Sequence, residues 1–140
     1  MNTKTDIEDP RQIEHRSLFL LTKHWKSDLA FIGDELSILD SLNNKLYKII
    51  TKETNIKHNR AVASGITKLQ RLQRLLTTEV SAHLHHLTMA EHRPFTIDYQ
   101  TYRDEHEKVE AQFASLVKSF RQIRKKVYSL IDEQFFLPFD

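Results

Sequence analysis

The sequence predicts an all-α fold, an antiparallel up-down-up bundle of three long helices, and three observations carry the prediction. Apolar residues recur at spacings of three, four and seven over three long stretches, the period of one face of an α-helix. The 140 residues include only two glycines and three prolines, the latter at 10, 94 and 138, so about 80 consecutive residues lack the strongest helix breaker. The segments that interrupt the apolar stripes are short and polar, which forces successive helices to run antiparallel.

Residues 1–12 are polar and read as a flexible tail ahead of a single bundle domain over 13–140, with Asp9-Pro10 suited to open a turn or a helix. The first helix, about 13–52, carries the stripe Leu18, Leu21, Trp25, Ile32, Leu36, Leu39, Leu42, Leu46 and Ile49 or Ile50, with Gly33 as its candidate hinge. A break at KETNIKHNR follows, and Thr54 or Asn55 serves as N-cap of the second helix. That helix carries Val62, Ile66, Leu69, Leu72, Leu76, Val80, His83, Leu87 and Ala90 and ends before Pro94. Thr96 caps the third, whose stripe is Tyr99, Tyr102, His106, Val109, Phe113, Leu116, Phe120, Ile123, Val127 and Leu130. The apolar tail Phe135-Phe136-Leu137-Pro138-Phe139 is expected to fold over a bundle end or to dock on a second copy, which makes a homodimer an expected association state.

Composition removes several function classes. Isolated Gly33 and Gly65 provide no glycine-rich phosphate loop or nucleophile elbow, and the absence of cysteine removes disulfides, thiolate catalysis and cysteine-ligated zinc. Twenty-one Lys and Arg against nineteen Asp and Glu give a net charge of +2, too small for the field of a dedicated nucleic-acid binder. A basic ribbon of Lys68, Arg71, Arg74, Lys118, Arg121, Arg124 and Lys125 reads as a solvated face. No apolar stretch reaches the roughly 20 residues of a membrane span and the first residues lack the apolar core of a signal peptide, so the expected location is the cytoplasm.

Eight histidines stand out against this background. With reversals near 53 and 94, residue i of the first helix faces about 106 − i of the second, and residue i of the second about 188 − i of the third. His24, His83 and His106 then share one layer. Each has a carboxylate one turn away on its own helix: Asp28, Glu79 and Glu110 respectively. Buried without partners such groups cost several kcal/mol, so they must satisfy one another or bind something. Three imidazoles and three carboxylates from facing helices suit one or two divalent transition metals, Fe, Zn or Mn, with His86 as a spare ligand and Glu35 as a supporting group only if the register shifts. Without metal, the same groups form a hydrogen-bonded polar layer that fixes helix register. His15, His58, His85 and His92 read as solvent-facing or near helix ends.

The pairs His24-x-x-x-Asp28 and His106-x-x-x-Glu110 make the chain resemble hemerythrin-like and ferritin-like carboxylate-histidine bundles. That resemblance implies paired metals between the helices, acting on dioxygen, peroxide or another small ligand. The ferritin signature Glu-x-x-His is absent, as are His-x-x-x-His and a fourth long helix. The segment WKSDLAFIGDELSILDSL also resembles the first helix of small helical-bundle proteins of Bacteroidetes-type bacteria, a likeness that implies no activity. Two functions therefore stand open: a metal-binding bundle with this histidine cluster as its centre, or a non-enzymatic helical interaction module in which the polar layer is structural.

Overall fold

A computed structural model describes residues 9–92 and 98–135. Within them the chain forms α1 (Pro10–Tyr47), α2 (Glu53–Glu91) and α3 (Tyr99–Phe135), packed as an antiparallel three-helix bundle; no strand occurs among the described residues. The helix α1 starts earlier than its apolar stripe because Asp9 caps it, accepting from the Arg11 backbone N–H at 2.9 Å, and Pro10 occupies the first turn, where its missing N–H costs nothing. Thr54 and Asn55 lie inside α2 rather than at its cap. Lys52 holds the cap position without a side-chain hydrogen bond, and Asn55 is buried. Thr96, Pro94 and residues 136–139 fall outside the described residues. Asp98 accepts from the Thr101 backbone N–H and hydroxyl at the start of α3.

The buried face of each helix follows a heptad alternation of three and four, with half-buried Gln73 at the α2 position between Leu69 and Leu76. On α1 it runs through Thr22, Trp25, Leu29, Ile32, Leu36, Leu39, Asn43 and Leu46, and on α2 through Asn59, Val62, Ile66, Leu69, Leu76, Val80, His83 and Leu87. A sustained 3.5-residue repeat is the sequence form of a left-handed supercoil with knobs-into-holes packing. Leu21 and Leu72, expected on the core stripes, are exposed, and Leu29 takes the α1 core position instead. Gly33 does not break α1, which runs through it unbroken, with the Gln73 amide where a Cβ would project.

Polar contacts set the α1–α2 register. Nε2–H of His15 donates to the Leu87 carbonyl at 3.0 Å, and the Gln73 amide donates to the Leu29 carbonyl at 2.9 Å. Asn59 donates to both the carbonyl and the side-chain oxygen of Asn43 at 2.8 Å, and Asn43 returns a bond to the Asn59 carbonyl at 3.0 Å. Residue numbers in each of these pairs add to 102, so α2 is shifted by one helical turn from the expected 106 − i register. The reason is the turn itself: α1 ends at Tyr47 and the chain reverses about Thr51, ahead of the expected position. The three stations recur every 14 residues on both helices, two heptads apart. An apolar heptad seam would bury nearly the same area after a slip of seven residues. Such a slip here would set each polar group against an apolar layer.

Helices α2 and α3 keep the expected 188 − i register, and at Gly65 an added Cβ would lie 2.5 Å from Cδ1 of Ile123. Overpacking at this crossing sets the expected result for Gly65→Val: a loss of about 1–3 kcal/mol in thermal melts. An unchanged melting temperature would show that the Ile123 side chain turns aside there at no cost.

Candidate functional site

Of the six expected ligands, two meet. His83 is fully buried on α2 and His106 is 5% exposed on α3, as their places on the core stripes require. Nε2 of His83 and Nδ1 of His106 are 3.0 Å apart and share one proton-mediated hydrogen bond. The carboxylate that completes the cluster is Glu105, not Glu110. Nδ1–H of His83 donates to Glu105 Oε1, and Nδ1–H of His86, one turn further along α2 and half-exposed, donates to the same carboxylate at 2.9 and 3.0 Å.

The other expected members face elsewhere. His24, Asp28, Glu79 and Glu110 are all exposed. His24 sits one residue before Trp25, about 100° around the helix from the core. The α1 contribution to the layer is therefore the indole of Trp25, stacked on the His106 ring at 4.5 Å between centroids and on Phe113 at 5.8 Å. Glu110 is four residues from His106 and lies over the outer side of the stripe, whereas Glu105 precedes His106 and is rotated toward α2. The 188 − i register places residue 105 opposite His83, so the signal for Glu105 was present. Choosing acids by same-helix spacing overrode it. Glu35, half-buried, is equally remote from the layer, more than two turns along α1 from Trp25.

Among the described residues no group of three or more His, Cys, Asp or Glu could hold a metal ion, which overturns the expected Fe, Zn or Mn centre, its small ligand and the metal-binding role of His24, Asp28, Glu79, His83, His106 and Glu110. The donor set implied by the hemerythrin-like resemblance is not assembled. Two large side chains account for this: Trp25 fills the space expected for a third imidazole, and the imidazole nitrogens of His83 are engaged on both sides by Glu105 and His106.

Electrostatics follow from burial and the hydrogen bonds. Burial, with a smaller contribution from the charge of His83, pushes His106 down from 6.5 to about 4, so its imidazole is neutral at pH 7. Its Nε2 is buried without a hydrogen-bond partner. Burial pushes the Glu105 carboxyl upward, but the hydrogen bonds from His86 and His83 more than offset it and leave the group below the usual carboxylate value. The layer is thus an anionic rim at Glu105 leading inward through His83 to a neutral ring clamped by Trp25.

His15, expected to face solvent or lie near a helix end, is in the second turn of α1 and forms a second buried histidine site. It packs edge-on against Tyr99 and Tyr102 at 6.0 and 5.7 Å, and beside it Arg103 forms a two-pronged ion pair with Glu14 at 2.6 and 2.8 Å, tying α1 to α3. Its place seven residues before Thr22 on the α1 heptad is the signal that the sequence offered.

Two open grooves of 430 and 480 Å³ run along the outer side of α2 and α3, the first lined by Leu72, Leu75, Ala111 and Ser115, the second by Ala61, Lys126 and Ser129. Neither is lined by His83 or His106. No described helix is long and apolar enough to cross a membrane. In comparisons with known proteins, no family model, no curated protein and no solved structure matches the chain.

Proposed function

We propose that the chain is a non-enzymatic helical interaction module: its interior polar layer is structural, and its outer faces meet another helical surface. The observation that carries this reading is that the interhelical bonds of the layer run between its own members, although His106 Nε2 has no partner. His83 bonds to Glu105 on one side and to His106 on the other, and Trp25 covers the His106 ring. Groups that must bind a substrate need open positions, whereas groups that set register need partners on neighbouring helices. The recurring α1–α2 polar stations point the same way, because they add orientation to a seam that apolar packing alone leaves degenerate.

The test is the double variant His83→Leu with His106→Leu. Exchange of a buried polar pair for apolar side chains of similar volume is often neutral or stabilising, and Glu105 retains His86 near the surface. The expected result is unchanged helical content and association state, with a melting temperature at or above that of the wild type. A variant that folds with native helicity yet loses its association state, or one that melts many degrees lower, would show that the imidazoles do more than orient helices.

A further inference from the structure

The α1 helix carries a second apolar stripe, on the side away from the core. Ile13, Leu20, Phe31 and Ile38 are all more than half exposed, although each is a large aliphatic or aromatic side chain. Their spacings are 7, 11 and 7, so at about 100° per residue they fall within about 20° of one line along the helix. The exposed His24 and Ser27 occupy the gap between Leu20 and Phe31. A solvated outer face does not require this alignment, and scattered surface hydrophobics do not produce it.

The stripe is also symmetric end to end. Ile13 and Ile38 are centred between residues 25 and 26, and so are Leu20 and Phe31. A two-fold axis at that point, perpendicular to the helix, sets Ile13 level with Ile38 of the second copy and Leu20 level with Phe31 of the second copy. It therefore closes an antiparallel α1–α1 contact with apolar layers on both sides of the axis. Such an isologous pairing brings each flank of the stripe against the same flank of the other copy. On one flank Arg16 comes within one residue of level with Asp34 of the second copy, and on the other His24 does so with Asp28 of the second copy. Both pairs are of complementary chemistry and both are generated twice by the axis. A parallel two-fold pairing would instead bring opposite flanks together and leave Arg16 about 27 Å along the axis from Asp34 of the second copy.

We propose that the partner of this face is a second copy of the chain, docked antiparallel along α1 about a two-fold axis between residues 25 and 26. The proposal rests on the reading of the chain as an interaction module and names its surface and partner. It also assigns surface roles to His24 and Asp28. The matched strip, residues 13 to 38, is about 38 Å long and one helix wide, toward the small end of specific interfaces, so the dimer is concentration-dependent.

Sedimentation equilibrium of the full chain from micromolar to submillimolar concentration is expected to show a monomer–dimer equilibrium. Leu20→Glu and Phe31→Glu, both at exposed positions, should each weaken it about tenfold or more while leaving helicity and dilute-solution melting unchanged. Asp34→Arg should weaken the dimer, and adding Arg16→Asp in the same chain should restore it. The native chain has no cysteine, so single thiols report orientation cleanly. With a short bismaleimide matched to the ~8–10 Å between packed helices, Leu20→Cys chains mixed with Phe31→Cys chains should crosslink to each other, and neither should crosslink efficiently alone. A monomer at every concentration overturns the proposal. So does a dimer insensitive to Leu20→Glu, or self-crosslinking of Leu20→Cys. None of these results touches the double-leucine test of the polar layer, so failure of the dimer and failure of the interaction-module reading are separately visible.

Discussion

Acidification from pH 7 to pH 5 is expected to remove about 2 kcal/mol of folding stability through His106 alone, approaching about 3 kcal/mol near pH 4. In the folded protein burial holds this imidazole at about 4, against an ordinary value of 6.5. Between those values the unfolded chain takes up a proton that the folded chain refuses. The stabilising contribution of the neutral ring is therefore present above the unfolded value and is lost as pH falls toward the folded one. Glu105 acts in a lower window. Its folded carboxyl lies below the ordinary 4.5, so its contribution is retained at pH 5 and lost only as pH falls through that depressed value. Chemical denaturation at pH 7 and pH 5 separates the two. His106→Leu should shrink the difference between those pH values by about 2 kcal/mol, whatever it does to stability at pH 7. A variant with the wild-type pH dependence would show that the ring is protonated in the folded bundle and that the Trp25 clamp does not keep it neutral.

The positions legible in the sequence were those for which periodicity alone decides burial. Three heptad stripes fixed the helices, and the same stripes placed His83, between Val80 and Leu87, and His106, between Tyr102 and Val109, inside. The α2–α3 register was also accessible. The α1–α2 register was not, since it depends on where the chain reverses, and residues 48–52 contain no glycine or proline to mark the spot. The third imidazole failed on angle rather than level: His24 lies one residue before Trp25, off the core face, so the indole meets His106 and the metal centre is not assembled. Within-helix spacing then selected Glu110 over Glu105, although a buried group is satisfied by what faces it across the interface. Asn43 and Asn59 lie squarely on their heptads, but a stripe defined by apolar side chains does not include them.

Polar residues on this seam serve different ends according to position. Near the turn, Asn43 and Asn59 form a closed pair. In the middle, Gln73 spans to a backbone carbonyl, and toward the far end His15 does the same from the opposite helix. The His83–His106–Glu105 chain adds the α2–α3 counterpart, and Arg103–Glu14 links α3 to α1. Each helix pair is thereby oriented by at least one polar contact that an apolar surface could not specify. A bundle so fixed presents α1's outer stripe in one rotational setting, which is what a symmetric docking surface requires.

Asn59→Leu is expected to cost about 3 kcal/mol. The variant removes the donor to both Asn43 oxygens and leaves Asn43 Oδ1 buried against an aliphatic chain, with 1% of the residue's surface exposed, while the Asn43 amide N–H keeps its bond to the backbone carbonyl of residue 59. Asn43→Leu should behave alike, since the bonding is reciprocal. The double variant is the informative one. Two leucines at facing heptad positions remove the side-chain groups left unsatisfied, so stability should return to within about 1 kcal/mol of the wild type, giving a coupling energy of several kcal/mol in the double-mutant cycle. The recovered stability should come with a less cooperative transition, because the station nearest the turn no longer penalises a seven-residue slip of α1 against α2. Additive losses in the double variant would mean that the two asparagines act independently, each through its own helix, and that register at the turn is held by Leu39, Leu46 and Val62 packing instead.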